Sequence, residues 1–172
     1  MKLGRFLSIL LALILLGLVA ISLSSCNRVV ERDYWATVGL SVHSDRTFNG
    51  VINSWGEPER REAVERSNDV CYMNLIYEGY IFSTEFLFAP AYDNDLYIRL
   101  VTITDPDYRI GCQQIGIGST RQEVERAYRN NQIIKNPPEN VIAFIDGKNI
   151  WISFTLSADD EVVEIKFHSG GP

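Results

Sequence analysis

Histidine is nearly absent from this 172-residue chain: His43 and His168 are the only two, far apart in sequence and without a companion at ligand spacing. A zinc centre therefore has no support. Cysteine is scarce at three, and neither Cys71 nor Cys112 has a neighbouring histidine that would mark a nucleophilic thiol. No Gly-x-Ser-x-Gly segment occurs, and Gly116-Ile117-Gly118 is followed by neither Lys-Ser/Thr nor the remaining glycines of a dinucleotide loop. Asp93-Asn94-Asp95 lacks the glycine and the distal glutamate of a calcium loop, and ordinary turn chemistry accounts for it. Basic residues are outnumbered, 16 against 22 acidic ones, and form no cluster of the kind that releases phosphate counterions. These absences leave no cofactor, no metal and no nucleic-acid partner to expect, and no enzyme. An acidic surface of this kind mainly confers solubility.

Hydrophobicity is concentrated at the start. Lys2 and Arg5 precede a run from Phe6 to Leu23 that only Ser8, Gly17 and Ser22 interrupt, the order of a positive and then an apolar region in an export signal. Leu23-Ser24-Ser25-Cys26 closes the run and resembles the lipobox of bacterial lipoproteins. That resemblance implies cleavage before Cys26 and acylation of its thiol, with roughly 0.8 kcal/mol of anchoring per buried CH₂. A plain spanning anchor is the alternative, because a run of this length is just sufficient to cross a bilayer. Asn27 lacks the aspartate that resembles an inner-membrane retention signal.

The expected organisation is residues 1–25 as signal peptide, 26–37 as lipidated cysteine and linker, 38–108 as a first repeat and 109–172 as a second. After cleavage 14 basic and 22 acidic side chains remain, a net charge of −8. Cys71 and Cys112 are then the remaining thiols. They read either as a disulfide, which contributes about 2 to 4 kcal/mol in an oxidising compartment, or as two buried free cysteines.

The repeat reading comes from periodicity. Phe48, Val51, Ile52 and Trp55 share one helical face, with Ser44 or Asp45 as cap and Gly56-Glu57-Pro58 as terminator. In the second half Ser119 and Gln122 read as a capping box ahead of Val124, Ala127 and Tyr128. A hairpin follows each helix, turning at Glu78-Gly79 and at Asp146-Gly147, where glycine tolerates the required positive φ. An acid-rich turn (Tyr92 to Asp95; Ser157 to Asp160) and a further strand (Leu96 to Thr104; Val162 to His168) complete each copy. Glu59 to Asp69 reads as a short charged helix or loop. The predicted fold class is α+β, two tandem helix-plus-antiparallel-strand repeats with the helices packed on one face of an antiparallel sheet.

Gly116 to Val124 and Trp55-Gly56-Glu57-Pro58 resemble the start and the end of the helix in the small outer-membrane assembly lipoproteins (SmpA/OmlA, BamE-like). The tandem arrangement resembles the β-lactamase inhibitory protein family. The likeness implies action by binding other proteins, with no catalytic residues. The first copy departs from it in starting with Val42-His43-Ser44-Asp45, and the second in ending with Arg129-Asn130-Asn131.

Aromatic residues, 11% of the chain, gather in the strand-like segments. Tyr80, Phe82 and Thr84 alternate with Ile81, Ser83 and Glu85, so one set faces the core and the other faces away. An open face carrying Tyr and Trp is the composition of a protein-binding surface, and Trp151, Tyr80 and Tyr97 are the expected contacts. The expected function is a non-enzymatic, membrane-anchored protein-binding lipoprotein of the cell envelope. A small-ligand or cell-wall-polymer binder is the alternative.

Overall fold

The computed structural model describes residues 34–40, 43–67, 70–87, 96–134, 137–146 and 150–169. Lys2 to Cys26, the Tyr92 to Asp95 turn and Gly147 lie outside them. Ten strands are described: β1 (Arg60–Ser67), β2 (Val70–Tyr77), β3 (Tyr80–Leu87), β4 (Leu100–Ile103), β5 (Arg109–Ile110), β6 (Ile115–Gly116), β7 (Gln132–Ile133), β8 (Val141–Asp146), β9 (Ile150–Leu156) and β10 (Val162–Ser169). Eight form one antiparallel sheet in the order β1-β2-β3-β4-β10-β9-β8-β7, while β5 and β6 make a separate small hairpin. The first four strands join the last four where β4 pairs with β10, Val101 opposite Phe167 and Ile103 opposite Ile165.

This architecture corrects the α+β reading of two helix-plus-strand repeats. The described α-helices are short, α1 (Tyr34–Thr37), α2 (Phe48–Trp55) and α3 (Arg121–Ala127), of 4, 8 and 7 residues. Two turns of helix are too little to form a layer of their own. The strands do not close into separate units but extend one another through the β4–β10 pair, and the buried apolar residues of both halves make a single cluster. The molecule is predominantly β.

Periodicity located α2 and α3, but their caps sit elsewhere, and α1 falls in the stretch read as linker. Thr47 caps α2, its Oγ1 accepting from the Gly50 N–H at 3.1 Å. Gly56, at φ 84°, ends the helix and donates to the Ile52 carbonyl. Thr120 and Glu123, one residue beyond the predicted pair, form the capping box of α3. The charged stretch after Pro58 is neither helix nor loop but β1, an edge strand paired along its length with β2. Charge belongs on an edge because it discourages pairing with foreign strands. The β2–β3 turn does fall at Glu78-Gly79, with Gly79 at φ 74°. A Cβ there would lie 2.8 Å from that of Asp105.

All three helices lie on one face of the sheet. On α2, the Trp55 ring meets Tyr77, Tyr80 and Phe82 of β2 and β3 at centroid distances of 5.5, 4.8 and 5.1 Å. Beyond α3, Tyr128 stacks on Phe144 at 4.9 Å and touches Phe154. From α1, Tyr34 and Trp35 both reach Phe167 of β10. The polar ends of this aromatic layer are satisfied: Trp55 Nε1 donates to the Val38 carbonyl, Tyr77 to the Gly56 carbonyl, and the Tyr34 and Tyr128 hydroxyls lie 3.3 Å apart. Burying such rings without partners for their polar atoms would be costly.

Candidate functional site

Strand pleating sends alternate side chains to opposite faces. Tyr80, Phe82, Val101, Ile103, Ile152, Phe154, Ile165 and Phe167 go inward, beneath the helices. Their neighbours form the outer face, over which no described element packs. One row across it runs Asn74, Ser83, Leu100, His168, Trp151 and Ile145 from β2 to β8. A parallel row runs Ile76, Ile81, Thr102, Lys166, Ser153 and Ala143. Ser83, Thr102 and Ala143 are small and sink between their neighbours, whereas the aliphatic side chains and Trp151 stand up from the surface.

Six strands at about 4.8 Å spacing make this face roughly 24 Å wide. Its charges are internally matched: Glu164 accepts from Lys166 at 2.7 Å and from the Thr155 hydroxyl at 2.9 Å. At its centre the His168 imidazole meets the Trp151 indole, with ring centroids 5.0 Å apart. Burial holds that imidazole below its ordinary range.

The three expected contact residues do not converge. Trp151 stands on the outer face, 42% exposed. Tyr97 is 45% exposed but lies before β4, bridged to Thr47. Tyr80 points inward, against Trp55 and Tyr108, and its hydroxyl donates to Asp105 Oδ2 at 2.7 Å. Burial and this bond raise the phenol's pKa, and the bond lowers that of the Asp105 carboxyl. Tyr80 is thus a packing residue. Two further large apolar side chains are exposed, Val163 in the bulge of β10 and Ile133 on β7, which the pleat sends to the opposite side from Gln132 and Ile145.

Leu100, His168 and Lys166 join Trp151 on the outer face, and sequence reasoning missed them. Alternation marked Phe167 as the opposite parity to His168, but nothing in the sequence said that β4 and β10 would be neighbours. Cys112, in the turn between β5 and β6, is disulfide-bonded. Cys71 is placed on β2, and its side chain lies outside the described ones. Among the described residues no three His, Cys, Asp or Glu side chains gather closely enough to hold a metal ion.

No protein family matches the sequence, and no curated protein does. Solved structures with a similar fold include an extracellular protein containing an SCP domain from Bacillus anthracis, at 12% identity over 83% of this chain and 49% of that one, TM-score 0.51. A DUF4309 family protein from Bacillus subtilis matches at 17% identity over 72% of this chain and 78% of that one, TM-score 0.41. A cysteine-rich secretory protein from Staphylococcus aureus matches at 8% identity over 72% and 44%, TM-score 0.41. The chain spans about half the length of the Bacillus anthracis protein, and the likeness between them is one of fold.

Proposed function

We propose that this protein is an exported, lipid-anchored module of the bacterial cell envelope that binds another protein through the outer face of its sheet. The observation that carries the reading is that face: six strands wide, mixed apolar and polar, and presenting an exposed tryptophan in one row with Leu100, His168 and Ile145. Tryptophan in such a setting is the residue most often found to dominate binding energy. Of the SmpA/OmlA resemblance the proposal keeps only the non-catalytic, protein-binding role. Export and the anchor rest on the positive-apolar-lipobox order ending at Cys26. The SCP-domain protein described as extracellular is in keeping with export.

Two experiments test the two halves. A photo-reactive residue placed at Ser153, beside Trp151, is expected to form an adduct with one protein in intact cells. Placed at exposed Arg129 beyond α3, it is expected to form none. Equal labelling from both positions would remove the case for the outer face. The anchor makes a separate demand on cysteine chemistry: Cys112 is disulfide-bonded and the chain has two other cysteines, so lipidation of Cys26 requires the partner to be Cys71. Peptide mapping without reductant is expected to find the Cys71 and Cys112 peptides joined and Cys26 carrying acyl chains. A Cys26 peptide joined to Cys112, or an intact Met1, refutes the lipid reading.

A further inference from the structure

Asn49-Gly50, in the first turn of α2, is the only asparagine-glycine pair in the chain. An asparagine in such a pair is open to attack by its own backbone, because glycine has no Cβ to hinder its amide nitrogen from closing on the asparagine Cγ. Asn49 is at the surface. Gly50 cannot be exchanged for a safer residue, since a Cβ there would lie 2.5 Å from the Asp45 carbonyl oxygen, where the 43–46 turn presses against the helix. Protection therefore has to come from conformation. The Gly50 N–H donates to Thr47 Oγ1 at 3.1 Å and the Val51 N–H to the Thr47 carbonyl at 2.9 Å. A helical ψ of about −42° keeps the Gly50 nitrogen turned away from the Asn49 side chain.

We propose that Asn49 is a modification site, a hydrolytic deamidation site that the Thr47 cap holds closed. When the first turn of α2 opens, the Gly50 nitrogen gives its proton to base and bonds to Asn49 Cγ, the Cγ–Nδ2 bond breaks, and ammonia leaves with a proton from solvent. Water then opens the five-membered imide. Breaking its nitrogen–Cγ bond leaves aspartate at position 49, whereas breaking the bond from nitrogen to the main-chain carbon leaves isoaspartate, with the chain rerouted through Cγ. One water is consumed and one ammonia released. The aspartate product suits the helix N-terminus, where negative charge is favoured. Isoaspartate adds a methylene to the backbone and spoils the hydrogen-bond register of the helix that sets Trp55 against Tyr77, Tyr80 and Phe82. Because the reaction needs the open turn, its rate follows the open population. Loss of a cap of ordinary strength raises that population about fivefold. None of this depends on the docking reading.

The experiment ages the purified protein in mildly alkaline buffer and maps position 49 by the mass gain of an amide becoming an acid. Asn53, exposed on the same helix and followed by serine, is the internal reference. Asn49 is expected to react slowly in the native protein and far faster when guanidinium unfolds it. In Thr47→Ala the native rate is expected to rise about fivefold, with exchange of the Gly50 N–H quickening by the same factor, and Thr47→Ser, which keeps an acceptor, stays near wild type. Thr120→Ala removes the corresponding cap of α3, so it separates opening of α2 from loosening of the whole molecule. It is expected to leave Asn49 at the wild-type rate. No acceleration by Thr47→Ala, equal acceleration by Thr120→Ala, or Asn53 reacting as fast as Asn49 overturns the proposal. Should Thr47→Ala fail to fold, the wild-type comparison still decides, because equal Asn49 rates in native and unfolded protein overturn it.

Discussion

Two tryptophans on opposite faces of one sheet give the sharpest test of which face is buried. Trp55 packs against three aromatic rings, edge-on to Tyr80 and Phe82 and tilted to Tyr77, and donates its indole proton to the Val38 carbonyl at 2.9 Å. Truncating a packed tryptophan to alanine costs about 3 to 5 kcal/mol. Trp55 keeps part of its ring at the surface, which places Trp55→Ala near the lower end, about 3 kcal/mol, including the hydrogen bond lost. Trp151 touches one ring, His168, and is 42% exposed. Trp151→Ala therefore forfeits little more than one aromatic contact, under about 1 kcal/mol. For a chain of this size the two substitutions are expected to lower the melting temperature by roughly 10 °C and by less than about 4 °C. Urea unfolding followed by circular dichroism measures both, and the denaturant slope is expected to stay constant because the surface exposed on unfolding is nearly unchanged. A Trp151→Ala cost equal to that of Trp55→Ala would mean that the outer face is packed over, and the docking surface would be lost with it.

Three further outcomes follow from the geometry. Asp105 accepts from Tyr80 and from the Asp107 N–H, which hold its carboxyl below the ordinary value, so this stabilisation is complete above the unfolded carboxyl's range and is lost as pH falls through the folded value. Tyr80→Phe is expected to cost about 1 kcal/mol at pH 6, at the low end for a bond to a charged group because Asp105 is open to water, and clearly less at pH 2. Equal costs at both pH values in urea titrations would contradict this account. Thr120→Ala removes the cap acceptor of α3 and is expected to destabilise by about 1 kcal/mol, with Thr120→Ser nearly neutral. Replacing Arg60 and Glu62 together by valine removes an exposed 2.9 Å ion pair from the edge strand β1. The unfolding midpoint is expected to move little, while light scattering at micromolar concentration rises; an unchanged scattering signal would show that β1 is not a guarded edge.

Local signals were legible wherever neighbours along the chain decide the outcome. The apolar positions Phe48, Val51 and Trp55 located α2, and Glu78-Gly79 located the first hairpin because only glycine suits a turn at φ 74° that closely approaches Asp105. Cap identity slipped by a residue or more, from Ser44 or Asp45 to Thr47 and from Ser119 to Thr120. Several polar residues in a row can accept from a helix's first amides, and the backbone entering the helix selects among them. The Arg60–Ser67 segment was illegible for another reason: its charges look like those of a solvated loop, and it is a strand because β2 offers it a partner.

By itself the sequence determined the alternation along the strands, the places of α2, α3 and the Glu78-Gly79 turn, and the absence of motifs for a metal, a phosphate or a nucleophile, while α1 escaped it. It left open how the two halves meet, since pairing between β4 and β10 joins residues more than sixty positions apart through backbone groups that every residue carries alike. Only the tertiary structure made one eight-stranded sheet of them, sent Tyr80 inward and Trp151 outward, and set His168 against the indole. A face of a sheet is a property of several strands together, and no single strand encodes which of its sides the helices will cover.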